Sequence, residues 1–197
     1  MKVAVPKQTI RNVARWLQRV LLIVAVGALG YCGFVLTDTW MFQYRANAEL
    51  DRSLAQPLPP AGPGVVALGG LVGRVEIPRL GMSVIVAEGT GEKILRHAVG
   101  HIEGTKFPGG PGNVGIAGHR DTLFLPLRNI QQNDLITLVT LQGEYRYRVV
   151  SMKIVEPYDV TVLNSDEHEI LTLVTCHPFY FAGPAPNRFI VRAERIT

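Results

Sequence analysis

Eighteen consecutive residues near the N-terminus, 20 to 37, carry no charged side chain. As an α-helix this run would be about 27 Å long, which is close to the hydrocarbon thickness of a bilayer. Trp16, Tyr31 and Trp40 suit the membrane interfaces, where aromatic side chains are enriched. The sequence therefore predicts a transmembrane helix over residues 20–37.

Positive charge is concentrated before this apolar run. The first 19 residues contain no acidic side chain and five basic ones, Lys2, Lys7, Arg11, Arg15 and Arg19. Cations of this kind stay on the cytoplasmic side, so the chain after Asp38 is predicted to lie outside the cell membrane. Of the chain's 20 basic residues, 15 remain after these five, against 16 acidic ones. This near balance argues against a nucleic-acid partner.

A cleaved signal peptide is the main alternative for the N-terminal segment, because Ala46-Asn47-Ala48 supplies an A-x-A site. However, the apolar run is longer than the roughly 7 to 15 residues of a signal peptide, and this site lies about ten residues beyond it. A buried core helix is a third interpretation, and the one-sided block of positive charge counts against it. The pattern favours an uncleaved, single-pass membrane anchor.

Residues 38–70 have a different composition, with the string AQPLPPAGPG at 55–64 followed by Gly69 and Gly70. Adjacent prolines favour extended geometry and glycines interrupt helices, so this stretch is predicted to be a semi-stiff extracytoplasmic linker. A short helix over Tyr44–Leu54 is an alternative for its first part. The predicted organisation is a cytoplasmic N-terminus, an anchor, a linker and a catalytic domain, at residues 1–19, 20–37, 38–70 and 71–197.

From residue 71 onward, short β-branched runs recur between turn residues. This pattern predicts an all-β domain, a closed or nearly closed barrel of seven or eight strands with short helices. The candidate helices are Glu92–Val99 and Leu123–Arg128. The candidate strands are Gly73–Ile77, Met82–Ala87, Val114–Ala117, Asp134–Val139, Tyr145–Val155, Ile170–Thr175 and Arg188–Glu194.

One cysteine, Cys176, belongs to the predicted β domain, since Cys32 lies in the predicted membrane helix. Cys176 therefore has no intrachain disulfide partner in its compartment. An unpaired thiol in an oxidising space is a hazard unless it has a chemical role. A catalytic nucleophile is one interpretation, and a small buried side chain is the other.

Arg188 is the residue expected opposite Cys176. Residues 171–175 alternate as a strand that Cys176 ends, and a second strand begins at Arg188 after the eleven-residue loop His177–Asn187. If the strands pair as an antiparallel hairpin, the two side chains share one face. A fixed cation favours the thiolate that attacks, and it can hold a carbonyl or stabilise an oxyanion. A surface arginine at a strand edge is the alternative.

A proton carrier is available in the string VGIAGHRD, where His119 follows Gly118 at the end of a predicted strand. Its imidazole can protonate a leaving amine. His97 and His101 are predicted to lie one helical turn apart, which is a ligand spacing found in zinc sites. The glycine at 100 interrupts that helix and no metalloprotease motif follows, so a metal site is disfavoured.

These motifs together resemble those of the sortase family. Residues 172–176 read T-L-V-T-C, which matches the family's T-L-x-T-C signature, Gly118-His119 resembles its histidine element, and Arg188 lies where its arginine follows. The strings GIAGHRDTLFLPLRNI and TLVTCHPFYFAGPAPNRFIVRAERI are most similar to class D sortases. The resemblance covers about residues 73–197. It implies an eight-stranded barrel and a cysteine transpeptidase with no cofactor and no metal.

The same resemblance implies a reaction of two acyl transfers. Cys176 would cleave a Leu-Pro-x-Thr-Gly-like sorting signal on secreted proteins, with His119 and Arg188 completing the catalytic group and Thr175 as a substrate contact. An amine from a peptidoglycan precursor or a pilin lysine would then accept the acyl group at the bacterial cell surface. Two alternatives stay open: a cysteine endopeptidase that uses water as acceptor, and a non-catalytic binding module tethered to the membrane.

Overall fold

The computed structural model describes residues 7–55, 69–165, 167–180 and 183–196. Residues 1–6 of the predicted cytoplasmic segment and 56–68 of the predicted linker lie outside the described residues. The chain divides into two compact units, residues 1–41 and 42–197. The eight strands found among the described residues all belong to the second unit.

A single long helix, α1, runs from Lys7 to Ala55. The predicted helix over residues 20–37 is thus confirmed as part of a longer one. Its most apolar 18-residue window has a mean hydropathy of 2.3 and is not buried within the described structure. Side chains such as Leu29 and Leu36 are more than 70% exposed. Length and composition are sufficient for α1 to cross a membrane, and the exposure counts against a buried core helix.

The prediction of a linker starting at residue 38 was wrong for residues 38–55, which continue α1 without interruption. The physical reason is local composition. This stretch contains neither proline nor glycine, and all the helix-breaking residues that suggested a linker follow it. The short helix considered for Tyr44–Leu54 is therefore present as the last part of α1.

The second unit is built around a closed eight-stranded barrel with the strand order β1-β2-β3-β4-β7-β8-β6-β5. The pairs β2·β3 and β4·β7 are parallel, and the other neighbours are antiparallel. The strands are β1 Leu71–Ile77, β2 Met82–Glu88, β3 Val99–His101, β4 Gly112–Gly118, β5 Leu135–Thr140, β6 Gly143–Val155, β7 Glu169–His177 and β8 Asn187–Ile196. The predicted barrel and its seven predicted strands are confirmed, with small shifts at the ends.

The sequence did not predict the strand β3. The helix predicted over Glu92–Val99 is confined to α2, Glu92–Leu95, and Val99 already belongs to β3. The backbone of β3 passes close to the backbone at Gly89: a Cβ atom on residue 100 would lie only 2.1 Å from the carbonyl oxygen of Gly89. Glycine therefore permits this strand to enter the sheet. The helix predicted near Leu123 is a 3-10 helix, Leu125–Asn129.

The interior of the barrel is filled by alternate residues of the strands. Along β7 and β8 the inward positions include Leu171, Leu173, Val191 and Ala193, all 0% exposed. Burial of each large apolar side chain contributes about 1.5 to 3 kcal/mol relative to exposure. The alternation leaves the intervening residues of β7 and β8, including Cys176 and Arg188, on the outer face.

A buried polar network lies at the opposite end of β7 from Cys176. Tyr147 is 0% exposed, and its hydroxyl donates to the carboxylate of Glu169. The same carboxylate accepts a hydrogen bond from the backbone N–H of Gly109. Burial, reinforced by the bond to Glu169, raises the pKa of Tyr147 above its ordinary value. The phenol therefore stays protonated and continues to donate.

Asp134 ties two turns of the barrel together. Its carboxylate accepts hydrogen bonds from the guanidinium of Arg79 and from the backbone N–H of Gln131, the latter at 2.7 Å. The hydrogen bonds from Arg79 and Gln131 hold the pKa of Asp134 below its ordinary value despite its burial. The native structure thus favours the ionised form of Asp134. The stability that this adds to the fold is fully present above the unfolded-state pKa of Asp134, and it is lost as the pH falls through the folded-state pKa.

We expect Asp134→Asn to lower the free energy of unfolding at neutral pH by about 1 to 3 kcal/mol, because charge-assisted hydrogen bonds are lost. The difference between the two proteins should shrink as the pH falls below the unfolded-state pKa of about 4 and through the lower pKa of the native carboxyl. Denaturant titrations at a series of pH values measure this. Glu92→Gln, at an exposed ion pair with Arg96, is the control and should change little. If the difference in unfolding free energy between the two proteins did not vary with pH, the stabilising role assigned to the ionised Asp134 carboxylate would be contradicted.

Candidate active site

Three strand ends meet at one edge of the barrel. Because β4 is parallel to β7, both end at this edge, and β8 begins there because it is antiparallel to β7. The register pairs Gly118 with Thr175 and Cys176 with Arg188. His119 directly follows Gly118, so the predicted nucleophile, cation and proton carrier lie at neighbouring strand ends.

Cys176 and Arg188 are directly opposite each other, as the sequence predicted. Side chains paired in this way share one face, with Cβ atoms typically about 4.5 to 5.5 Å apart. Both residues are half-buried, and Cys176 is a free thiol. The pairing sets an arginine directly opposite a partly exposed cysteine on the neighbouring strand.

The Arg188 guanidinium is held by the backbone of the loop that precedes it. Nη1 donates to the carbonyl oxygens of Asn187 at 3.1 Å and Ala185 at 3.4 Å. A guanidinium carries five N–H donors, so these two contacts leave others to bind a substrate carbonyl or an oxyanion. The position of this loop therefore affects the position of the charge.

His119 is exposed on the outer face, at the end of β4 beside β7. The structure gives a steric reason for the glycine at position 118. A Cβ atom at 118 would lie 2.7 Å from the Phe124 ring, which is 0% exposed. The backbone N–H of Phe124 also donates to the carbonyl oxygen of His119 at 3.0 Å. The buried ring thus fixes the turn from which His119 projects.

Thr175 precedes the nucleophile and faces the barrel interior, where it is 2% exposed. Its hydroxyl donates to the carbonyl oxygen of Gly118 at 2.7 Å. This bond joins the residue before Cys176 to the residue before His119. The substrate contact predicted for Thr175 stays a prediction, and in this structure the hydroxyl is used between the two strands.

The 3-10 helix Val160–Leu163, in the connection between β6 and β7, lies against the outer face of β4. Asn113 on β4 holds this connection by donating to the carbonyl oxygen of Val162 at 3.0 Å. Thr172 donates to the Asn113 side chain at 2.7 Å. Sequence reasoning missed this pair of buried polar residues, although polar side chains inside predicted strands were a possible signal.

A zinc site at His97 and His101 is not supported, because the start of β3 separates the two residues and the helical spacing is absent. His101 is 1% exposed. Its Nδ1 lies 2.7 Å from Glu88 Oε2 and its Nε2 lies 3.0 Å from the carbonyl oxygen of Lys106. Both ring nitrogens of His101 therefore already have hydrogen-bond partners within the protein. Among the described residues, no group of three or more His, Cys, Asp or Glu side chains is suited to holding a metal.

Comparison with known families agrees with this geometry. Residues 75–196, which include the whole candidate site, match the family model of the sortase domain. The chain belongs to the sortase family. The resemblance inferred from the T-L-x-T-C string, Gly118-His119 and Arg188 is thereby confirmed.

Relatives from the class D branch are among those found. Sortase D of Bacillus subtilis strain 168 is 31% identical over 192 residues, which cover 90% of this chain and 97% of the relative. The solved structure of a Clostridium perfringens Sortase D5 transpeptidase has a TM-score of 0.61 at 28% identity, covering 77% of this chain and 89% of that one. Sortase C from Clostridium perfringens SM101 has a TM-score of 0.62 at 26% identity, covering 83% and 90%.

Membership in the sortase family accounts for the closed barrel that the structure shows. The whole of α1, which ends at Ala55, precedes the region that matches the family model, residues 75–196. The segment from 42 to 55 nevertheless belongs to the same compact unit as the barrel. The sortase domain of this chain is therefore extended on its N-terminal side by helical residues.

Proposed function

We propose that this chain is a membrane-anchored cysteine transpeptidase that cleaves a Leu-Pro-x-Thr-Gly-like sorting signal and transfers the acyl group to an amine. The observation that carries the proposal is the register that sets Cys176 opposite Arg188, with His119 at the adjacent strand end. A thiol, a fixed cation and an imidazole are the groups that acyl transfer through a thioester requires.

The first half of the reaction forms the thioacyl enzyme. The Cys176 thiolate attacks the carbonyl carbon of the signal's threonine, and a C–S bond forms as the carbonyl oxygen becomes an oxyanion. Arg188 stabilises that negative charge with its remaining N–H donors. The intermediate collapses with cleavage of the C–N bond, and His119 supplies the proton that the departing amine needs.

The second half restores the enzyme. His119 accepts a proton from the incoming amine, whose nitrogen attacks the thioester carbon. A new C–N bond forms, the C–S bond breaks, and the sulfur leaves as the thiolate of Cys176. A cell-wall peptide or a pilin lysine would supply the amine, and secreted proteins with a C-terminal sorting signal would supply the acyl group.

We also propose that α1 anchors the chain in the membrane by a single pass, with the N-terminus in the cytoplasm. The basic residues before the apolar part of α1 support the orientation. The contacts of the helix after residue 41 support an uncleaved anchor, because cleavage after Ala48 would remove Gln43 and Asn47. Gln43 bonds to the β2 edge, and Asn47 accepts a hydrogen bond from Arg74. We therefore place the start of the catalytic unit near residue 42 rather than at 71.

Product analysis of the full chain in detergent tests the proposed function. The protein is incubated with a library of peptides containing Leu-Pro-x-Thr-Gly-like signals, with and without an added amine, and the products are identified by mass spectrometry. We expect a ligated peptide only in the presence of the amine. Hydrolysis without ligation would support the cysteine endopeptidase. Absence of both turnover and thioacyl enzyme would support a binding module.

A further inference from the structure

The loop between β7 and β8, residues 178–186, connects the two strands that carry Cys176 and Arg188. The described part of this loop receives hydrogen bonds from two arginines in the segment that follows His119. Arg120 Nη2 donates to the carbonyl oxygen of Gly183 at 3.0 Å. Arg128 Nη1 donates to the hydroxyl of Tyr180, and its guanidinium carbon lies 5.3 Å from the centre of that ring.

Arg120 is the more constrained of these two arginines. It is adjacent to His119 in the sequence, yet only 9% of it is exposed, whereas His119 and Arg128 are exposed. A buried guanidinium that donates to a carbonyl forms a charge-assisted hydrogen bond, which is stronger than a neutral one. Arg120 therefore holds Gly183 from a position that solvent screens weakly.

Gly183 suits this role because its backbone has a φ of +107°, which favours glycine. Two residues further along, the carbonyl oxygen of Ala185 accepts a hydrogen bond from Arg188. The path from His119 to Arg188 is thus short. It runs through the Arg120 side chain, the Gly183 carbonyl, Pro184 and the Ala185 carbonyl.

We propose that Arg120 is a positioning residue that fixes the β7–β8 loop through Gly183, and so sets the place of the Arg188 guanidinium beside Cys176. This inference rests on the proposed function for the role of Arg188 in the reaction. Arg120 is largely buried, and the role proposed for it is structural. Its influence on the reaction passes through Arg188.

A double-mutant cycle tests this dependence, because residues that act through one another are not additive. The variants Arg120→Met, Arg188→Gln and the double variant are made in the full chain carrying Cys32→Ala, so that Cys176 is the single thiol. We expect Arg120→Met to lower kcat/KM about tenfold or more, mainly through kcat. In the Arg188→Gln background the same change should cost less than about twofold. Equal losses in both backgrounds, or no loss, would overturn the proposal.

The alkylation rate of Cys176 by iodoacetamide gives a second readout that needs no peptide substrate. A well-placed cation favours the reactive thiolate, so Arg120→Met should slow alkylation in the parent chain and leave it unchanged in the Arg188→Gln chain. If Arg120→Met slowed the alkylation of Cys176 equally in the parent chain and in the Arg188→Gln chain, the proposed action of Arg120 through Arg188 would be refuted. This cycle reports on Arg120 even if the full chain fails to ligate peptides, a failure that would count against the proposed function alone.

Two further variants separate positioning from folding. Arg120→Lys retains the charge and can donate to the Gly183 carbonyl from a single nitrogen, so it should recover part of the lost kcat/KM and part of the alkylation rate. Arg96→Met removes an exposed arginine just after α2 and is the matched control, with activity expected to be unchanged. Thermal unfolding of each variant shows whether the barrel is intact. A Lys variant as folded as the parent but no more active than the Met variant would contradict the proposed contact.

Discussion

Replacement of Cys176 by alanine is expected to abolish peptide ligation, with a loss of at least about a thousandfold in kcat. The reason is chemical, because alanine cannot form the thioester on which both acyl transfers depend. Side chains at the barrel edge would remain to bind peptide, but none of them replaces the sulfur as nucleophile. Mass spectrometry should detect neither a ligated product nor a covalent acyl-enzyme.

The second cysteine of the chain provides the matched control. Cys32 is exposed on α1, in the unit that does not contain the barrel. Cys32→Ala in the full chain should leave the ligation rate unchanged within about twofold, because surface substitutions away from a site have small effects. Turnover by the Cys176→Ala protein would show that the nucleophile has been assigned wrongly. Loss of activity in the Cys32→Ala protein would indicate a role for α1 in the reaction.

The strands of the barrel were predictable because their side chains alternate. In β7 the inward residues Leu171 and Leu173 are apolar, and the turn residues after His177 mark its end. The same pattern in β8 predicted the pairing of Cys176 with Arg188, since the end of one strand and the start of the next fix a hairpin's register. Local pattern and global fold agree along these strands.

Other elements depend on contacts that a local pattern does not contain. The strand β3 has three residues, too few to show alternation, and it forms because Gly100 allows close approach to Gly89. The steric role of Gly118 depends on Phe124, which is six residues away and folds back onto the strand. The contact of Arg120 with Gly183 spans 63 residues. These features become visible only when the barrel brings distant segments together.

The last part of α1 was mispredicted for a related reason. From Phe42 to Ala55 the helix packs on the barrel with one face, which includes Gln43, Ala46, Asn47 and Leu50 at spacings of three and four residues. The side-chain amide of Gln43 donates to the carbonyl oxygen of His97 at 2.7 Å and accepts from the N–H of Ile85 at 3.0 Å. It thereby satisfies backbone groups that a strand partner would otherwise have satisfied.

Leu50 is the centre of the apolar part of this contact. It is 0% exposed and forms a cluster with Ile85, Ala87 and Ala98 on the outside of the barrel. We expect Leu50→Ala to lower the free energy of unfolding of the barrel by about 2 to 5 kcal/mol, because it leaves a cavity that its neighbours fill only in part. For a unit of this size the thermal midpoint should fall by roughly 4 to 20 °C, measured by near-ultraviolet circular dichroism of the full chain.

Leu54, one helical turn further along and 41% exposed, is the matched control. Leu54→Ala makes the same chemical change in the same helix but removes little buried surface, so its midpoint should shift by no more than a few degrees. Equal shifts for the two variants would mean that the helix contributes to stability without docking on the barrel. A large shift confined to Leu50 would mean that a soluble form of the domain must begin near residue 42, because a chain starting at 71 would expose Ile85 and Ala98 to water.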